Sequence, residues 1–407
     1  MPGDYSLIFG LRKICPNPFL SLEVNSDGNV SVCCTSRLKK GYKYVGNILE
    51  NTLGEIWNGK QIQDFRQIIY DGEYQKICES FCPQFMALKE GKIPPWYSNL
   101  CEAEVYREIE KKKVILDSPY KAISIASDGS CNLFCIMCRS ERKVQPTELE
   151  KRVNNVLYNQ ILENIDKIRF LELTGNGDPF FNKEIGKFLD LLSEKDISYL
   201  TIRFITNAQL LNEKRWEQIK KLKIKALYVN VSIDAATKAT YESIRRGGKW
   251  ETLVKNMEML AKKRLSGFLD YLSVSFVVMK RNIHEMIPFI YLAKSWNCDR
   301  IEFQRIMGDV AGLENIFDIE NPKPLKELAE VLKYPIFNDR QLIDVSSFLS
   351  YMNYCSTREK RKQYVRKAFR YKMDKFIRRI TLNRLLNIYR IFKKMVKINS
   401  RKQNNIC

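Results

Sequence analysis

The chain has 407 residues, 45% hydrophobic and 28% charged, which is enough to bury a sizeable core. Its twelve cysteines, with no signal-peptide run in Met1 to Lys13 and no apolar stretch of transmembrane length, exclude a disulfide scaffold and an integral membrane protein and place the thiols in the reducing cytosol. One histidine, His284, nearly excludes histidine-based acid–base or triad chemistry, and the net charge of +21 is uneven: +16 of it falls between Arg358 and Cys407.

Residues 1–100 read as a first, small α+β unit. Leu20 to Val32 alternates apolar and polar residues on both sides of Asp27-Gly28, the pattern of a hairpin around a tight turn. Cys15 precedes it, Cys33-Cys34 closes it, and Cys78-Glu-Ser-Phe-Cys82 follows. Four thiolates with one short pair suit a zinc site. Ile93-Pro-Pro-Trp96 marks a turn, and Cys101 to Lys113 reads as a charged helical connector in which Cys101 has no ligand role.

From Lys121 the chain alternates β-branched runs with amphipathic helical patterns. Strands are expected at Ala122–Ser127, Arg169–Leu173, Tyr199–Ile205, Leu227–Ile233, Leu272–Val278 and Ile301–Phe303. Six such alternations imply a parallel sheet, either doubly wound or a partial barrel, and periodicity does not choose between them. In both, ligands bind at the carboxyl ends of the strands. The first strand leads into Cys131-Asn-Leu-Phe-Cys135-Ile-Met-Cys138. Iron–sulfur clusters normally take four thiolates, so three on one loop leave an iron with an open position, as a catalytic metal site requires. Buried free cysteines or part of a zinc site are the plainer alternatives.

Later strand ends carry polar groups. Thr174-Gly-Asn-Gly-Asp-Pro179 follows the second strand, Thr206-Asn207-Ala208 the third, and Ser232-Ile-Asp234 the fourth. Arg245 in Tyr241-Glu-Ser-Ile-Arg-Arg-Gly-Gly248 offers a forked guanidinium suited to a carboxylate, with simple surface charge as the alternative. Asp234 suits equally a helix N-cap. Gln304-Arg305 ends the sixth strand, Cys298 reads as buried, and His284 opens a helix in a structural role.

The spacing Cys131, Cys135, Cys138 resembles the signature of the radical S-adenosylmethionine (SAM) superfamily. That resemblance implies a partial (β/α)6 TIM-like barrel over residues 115–310. It implies a [4Fe–4S] cluster whose open iron chelates the amino and carboxylate groups of SAM, and one-electron cleavage to a 5′-deoxyadenosyl radical that abstracts hydrogen from a substrate. Asn176, Gly177, Asp178 and Pro179 occupy the positions of the family's Gly-Gly-Glu-Pro motif, and Thr206, Ser232, Asp234 and Arg245 would complete the SAM seat. Met137 stands where an aromatic is usual, and Ala208 where glycine is common. The implied partners are an electron donor such as a flavodoxin or ferredoxin and a peptide, carbohydrate or lipid-linked envelope substrate. No catalytic acid or base can be named.

The order Cys15, Gly28, Cys33, Cys78, Cys82 resembles the SPASM or twitch module, which implies an auxiliary [4Fe–4S] cluster on Cys15, Cys33, Cys78 and Cys82, with Cys34 the rival to Cys33. Such a module usually follows the core, so its place in front is a departure. Residues 311–356 read as a small helical extension resembling the continuation of twitch-type proteins. Residues 357–407 read as a basic amphipathic helical tail in which Phe369, Met373, Phe376 and Ile380, then Leu382, Leu385, Tyr389, Phe392 and Val396, recur at helical spacing. The tail suits docking on an anionic membrane surface, which would make a cytoplasmic protein peripheral on the inner face. It also suits packing on the body or a partner, and RNA binding. The functional alternatives are a radical SAM enzyme that modifies RNA through this tail and a non-catalytic zinc-binding scaffold.

Overall fold

The structure, a computed structural model, describes residues 14–82, 84, 102–139, 141–173, 177–306, 314–317 and 323–346. Cys101, Asn176 and the tail at 357–407, with its expected docking uses, lie outside the described residues. Among the described residues no helix is long and apolar enough to cross a membrane.

The N-terminal part supplies β1 (Ser21–Asn25), β2 (Asn29–Ser31) and β3 (Gly46–Asn47). The middle supplies β4 (Ala122–Ala126), β5 (Phe170–Leu173), β6 (Ile197–Thr206), β7 (Ile224–Ser232), β8 (Tyr271–Val278) and β9 (Arg300–Arg305). A short β10 (Ile343–Asp344) follows. These ten form one sheet in the order β10-β9-β8-β7-β6-β5-β4-β1-β2-β3. From β4 to β9 each strand lies parallel to the next in sequence. A doubly wound sheet reverses its order at a switch point. This one winds in a single direction, as a barrel does, so strand order settles what periodicity left open.

The strands alternate because their two faces differ. Ile123, Leu171, Ile202, Val229, Leu272 and Ile301 are wholly or almost wholly buried beneath the helices. The opposite face is polar: Ser124 donates to Glu172 at 3.1 Å, and Arg203 bridges Glu172 at 3.3 Å and Glu302 at 3.5 Å. The helix Glu148–Glu163 starts at a capping box in which Thr147 accepts from the Glu150 N–H and Glu150 accepts from the Thr147 N–H. On the helix side, Phe276 packs against Phe289 and Phe303, with ring centroids 4.9 and 5.5 Å away.

The expected first unit and core share this sheet. β1 pairs in parallel with β4, Ser21 opposite Ala122 through Asn25 opposite Ala126. The hairpin itself forms as the alternation predicts, turning through Gly28 at φ +81°, where a side chain would press on Asn47. The expected helical extension contains the helix Lys323–Val331, and it also returns β10 to the edge beside β9. Cys298 is buried just before β9, and the exposed His284 belongs to a single 3-10 turn ahead of the helix Met286–Ser295.

Candidate iron–sulfur and SAM site

The loop after β4 is held from three sides by backbone hydrogen bonds. Cys131 N–H donates to Lys143 O at 2.8 Å, Phe134 N–H to Arg246 O at 3.1 Å, Ile136 N–H to Ile244 O at 3.0 Å, and Asp178 N–H to Ser130 O at 3.0 Å. The Glu150 carboxylate of the capping box also accepts from Gly129 N–H at 3.1 Å and pairs with Lys143, so one helix start fixes the entry to the loop. Nothing in the spacing of Thr147 and Glu150 announces that second use.

Cys131 and Cys135 are buried, and Cys138 is exposed. Each sulfur faces a nitrogen donor. The Leu133 N–H reaches Cys131 Sγ at 3.4 Å and Asn207 Nδ2 reaches it at 3.7 Å. Arg245 Nη1 lies 3.9 Å from Cys135 Sγ, and Arg139 Nε lies 3.4 Å from Cys138 Sγ. Burial pushes the Cys131 thiol up to about 11, against the pull of the Leu133 N–H. Thiolates here therefore need compensating positive charge, which a cluster iron supplies. Three sulfurs, each with a donor aimed at it, fit such a group. Met137, partly buried, packs on Ile244, Met279 and Ile306 and on the cysteine cluster.

The expected SAM residues divide into two groups. Gly177 lies so close to the cysteine loop that a Cβ would stand 1.9 Å from Ser130 O; only glycine fits. Asp178 is buried, and its carboxylate accepts from Thr206 Oγ1 at 2.7 Å, Asn207 N–H at 2.8 Å and Phe180 N–H at 3.0 Å. Both oxygens are therefore engaged, and Asp178 ties the loop after β5 to the end of β6. Ala208, at the position where glycine is common, adopts φ +57° and donates its N–H to Thr206 Oγ1 at 3.0 Å. Pro179 follows in the same turn, and Ser232 Oγ accepts from Ser275 Oγ at 3.2 Å.

Asp234 and Arg245 come together. They form a buried ion pair at 2.5 Å, and Asp234 holds φ +67° while its Oδ1 accepts from Val277 N–H at 2.7 Å. Burial alone would push the Arg245 guanidinium down, but Asp234 and Cys135 hold it above its ordinary value. Asp234 does not cap the next helix; Thr237 does, supported by Glu285, which accepts from Thr237 and Thr240. The sequence offered Asn207 only as the neighbour of Thr206, yet it reaches both Cys131 Sγ and, at 2.9 Å, Asn132 Oδ1.

Ahead of the core, Cys15, Cys33, Cys78 and Cys82 line one cavity with Val32, Leu38, Phe65, Ile69 and Tyr74. Cys34 is not in that lining; its Sγ lies 3.1 Å from Ser36 Oγ. Burial pushes the Cys15 thiol up to about 12 and raises Cys33. Among the described residues no three His, Cys, Asp or Glu side chains are arranged to hold a metal ion. Four thiols lining one cavity suit an iron–sulfur cluster and suit zinc as well.

These features define an α/β protein with a three-thiol loop at the carboxyl end of a barrel strand and a four-thiol cavity in front of it. The radical SAM superfamily model matches residues 129–290, and the model of the SPASM iron–sulfur cluster-binding domain matches residues 15–83. Over these residues the chain is similar to the radical SAM superfamily, with a SPASM-like segment ahead of the core. The two domains imply a [4Fe–4S] cluster with SAM and an auxiliary iron–sulfur cluster.

Among curated relatives, the GTP 3′,8-cyclase of Clostridium botulinum (strain Hall) is 31% identical over 180 residues, covering 43% of this chain and 53% of that protein. The mycofactocin maturase MftC of Mycobacterium ulcerans (strain Agy99) is 26% identical over 191 residues, covering 46% and 48%. The chain spans about half the length of these relatives. The crystal structure of Streptococcus suis SuiB bound to S-adenosylmethionine aligns over 70% of this chain and 61% of that one at 18% identity and TM-score 0.41, a likeness too loose to carry an argument.

Proposed function

We propose that this chain is a radical SAM enzyme. Cys131, Cys135 and Cys138 would hold the reducing cluster, and Cys15, Cys33, Cys78 and Cys82 the auxiliary one. The observation that carries the proposal is the cysteine loop: three thiols at the end of the first core strand, each facing a nitrogen donor. When bound, the cluster supplies one electron that cleaves SAM to a 5′-deoxyadenosyl radical, which takes hydrogen from an organic substrate. The protein supplies placement. Gly177 lets the loop after β5 approach the cysteine loop, Asp178 and Thr206 lock that loop to β6, and Asn207 orients Cys131. SAM would lie over the loops after β5, β6 and β7, against Gly177, Pro179 and Ser232. Asp178, Thr206, Asp234 and Arg245, already partnered within the protein, would shape that seat from behind.

The test is anaerobic reconstitution, reduction with dithionite, and assay for 5′-deoxyadenosine. Wild type should form it, Cys135→Ala should not, and iron should approach about eight per chain, as two four-iron clusters require. Zinc without iron would overturn the proposal, and so would a cluster-loaded wild type that forms no more product than Cys135→Ala.

A further inference from the structure

The Asp234–Arg245 pair is poorly explained as a structural tie. A buried ion pair is no better for stability than a well-packed apolar pair. Asp234 also sits in the left-handed region that favours glycine. Two further bonds hold it there: Val277 N–H on its carboxylate and Asn282 Nδ2 on its carbonyl at 2.8 Å. What this arrangement achieves is the aim of Arg245. One guanidinium nitrogen, Nη2, is held by Asp234, and another, Nη1, is directed at Cys135 Sγ. The same segment clamps the cysteine loop by backbone bonds from Phe134 and Ile136 to Arg246 and Ile244. Gly247, at φ +87°, turns the chain back beside Asn132 and Phe134. Loop and guanidinium are therefore fixed to one another.

We propose that Arg245 is a positioning residue that tunes the reduction potential of the cluster on the cysteine loop, with Asp234 opposing it. This rests on the cluster assignment above. An N–H dipole on a ligand sulfur draws charge from it and favours the reduced cluster, and reduction potentials of such clusters respond to hydrogen bonds at sulfur and to net charge. Asp234 cancels the long-range charge of Arg245 and leaves its short-range donor. The two residues thus act with opposite sign on one electron-transfer step, in which the cluster gains one electron and dithionite, the donor, is oxidised to sulfite.

The experiment is a mediated redox titration of the full-length, reconstituted protein followed by electron paramagnetic resonance, reading the cluster signal that changes when SAM is added. Arg245→Gln should lower the reduced-to-oxidised ratio at fixed potential by about tenfold, equivalent to about 59 mV for one electron. Asp234→Asn should raise that ratio, and Arg245→Lys, which keeps the charge, should fall between Arg245→Gln and wild type. Shifts of the same sign in Arg245→Gln and Asp234→Asn, or no shift in either, would overturn the inference. If Arg245→Gln holds no cluster, Asp234→Asn decides by its sign, and an unshifted or lowered ratio there overturns it. A wild-type protein in which no signal responds to SAM refutes the cluster assignment instead.

Discussion

Glu23 offers a test of how the N-terminal strand meets the barrel. It lies on β1 opposite Ser124 of β4, and burial, reinforced by the charge of Glu172, raises its carboxyl from 4.5 to about 7, with Arg37 opposing weakly. A carboxyl raised in the folded state keeps its proton where the unfolded chain has lost it. Its contribution to stability is therefore fully present below about 4.5 and is lost as pH rises through about 7. At about 1.4 kcal/mol per pH unit, the carboxylate costs roughly 3 kcal/mol at pH 8. Glu23→Gln removes that cost and resembles the protonated acid in shape. Thermal unfolding at matched iron content should show the variant close to wild type at pH 4.5 and more stable at pH 8, by on the order of 5 °C. Other titrating groups contribute to both proteins, so the difference isolates Glu23. A difference that stays constant with pH, or a variant that is less stable at pH 8, would refute the placement of Glu23 beside Glu172.

Gly177→Ala should cost about 1–3 kcal/mol, because the added Cβ meets the backbone of Ser130 and Gly129 rather than a movable side chain; chemical unfolding and iron content should both fall. Arg66 is wholly buried, donates to Pro18 O at 2.9 Å and Val114 O at 2.7 Å, and lies 4.5 Å over the Trp57 ring. Arg66→Met leaves the buried Pro18 carbonyl and the part-buried Val114 carbonyl without this donor and should cost about 3 kcal/mol in unfolding free energy. Cys33→Ser should lose about four irons per chain, whereas Cys34→Ser, bonded to Ser36 outside the cavity, should keep them.

The six core strands were legible because each must present an apolar face to the helices, and that demand is written at every second residue. Tyr199–Ile205 was expected where Ile197–Thr206 forms, and Leu272–Val278 where Tyr271–Val278 forms. The cysteine loop was legible for a different reason: three thiols within eight residues are chemistry stated locally. Partnerships between distant polar groups carry no such mark. Asp178 sits at a motif position expected to help seat SAM, yet its acceptors are used on Thr206 and Asn207, twenty-eight and twenty-nine positions away. Arg245 was set against a ligand carboxylate or open surface; it found Asp234, because both are buried and neither charge can remain alone there.

The register of β1 against β4 was the least legible feature, since Ser21 and Ala122 meet across a hundred residues of chain. It bears on why the SPASM module stands first. Six parallel strands leave a barrel with two free edges, and exposed edges invite unwanted pairing. β1 covers the β4 edge with a full ladder, and β10 partly covers the β9 edge. β2 runs antiparallel to β1, so Cys33 emerges at the amino-terminal end of the sheet, opposite the loop that carries Cys131. Cys78 and Cys82 line the same cavity as Cys33, while Phe81 between them lies 4.4 Å from the Arg305 guanidinium at the carboxyl end of β9. The module therefore touches both outer strands of the six. A module placed after the core could reach β9 directly, but it would have to return across the sheet to pair with β4. Coming first, this chain enters at the β4 edge and needs only the Cys78–Cys82 loop to reach the far strand.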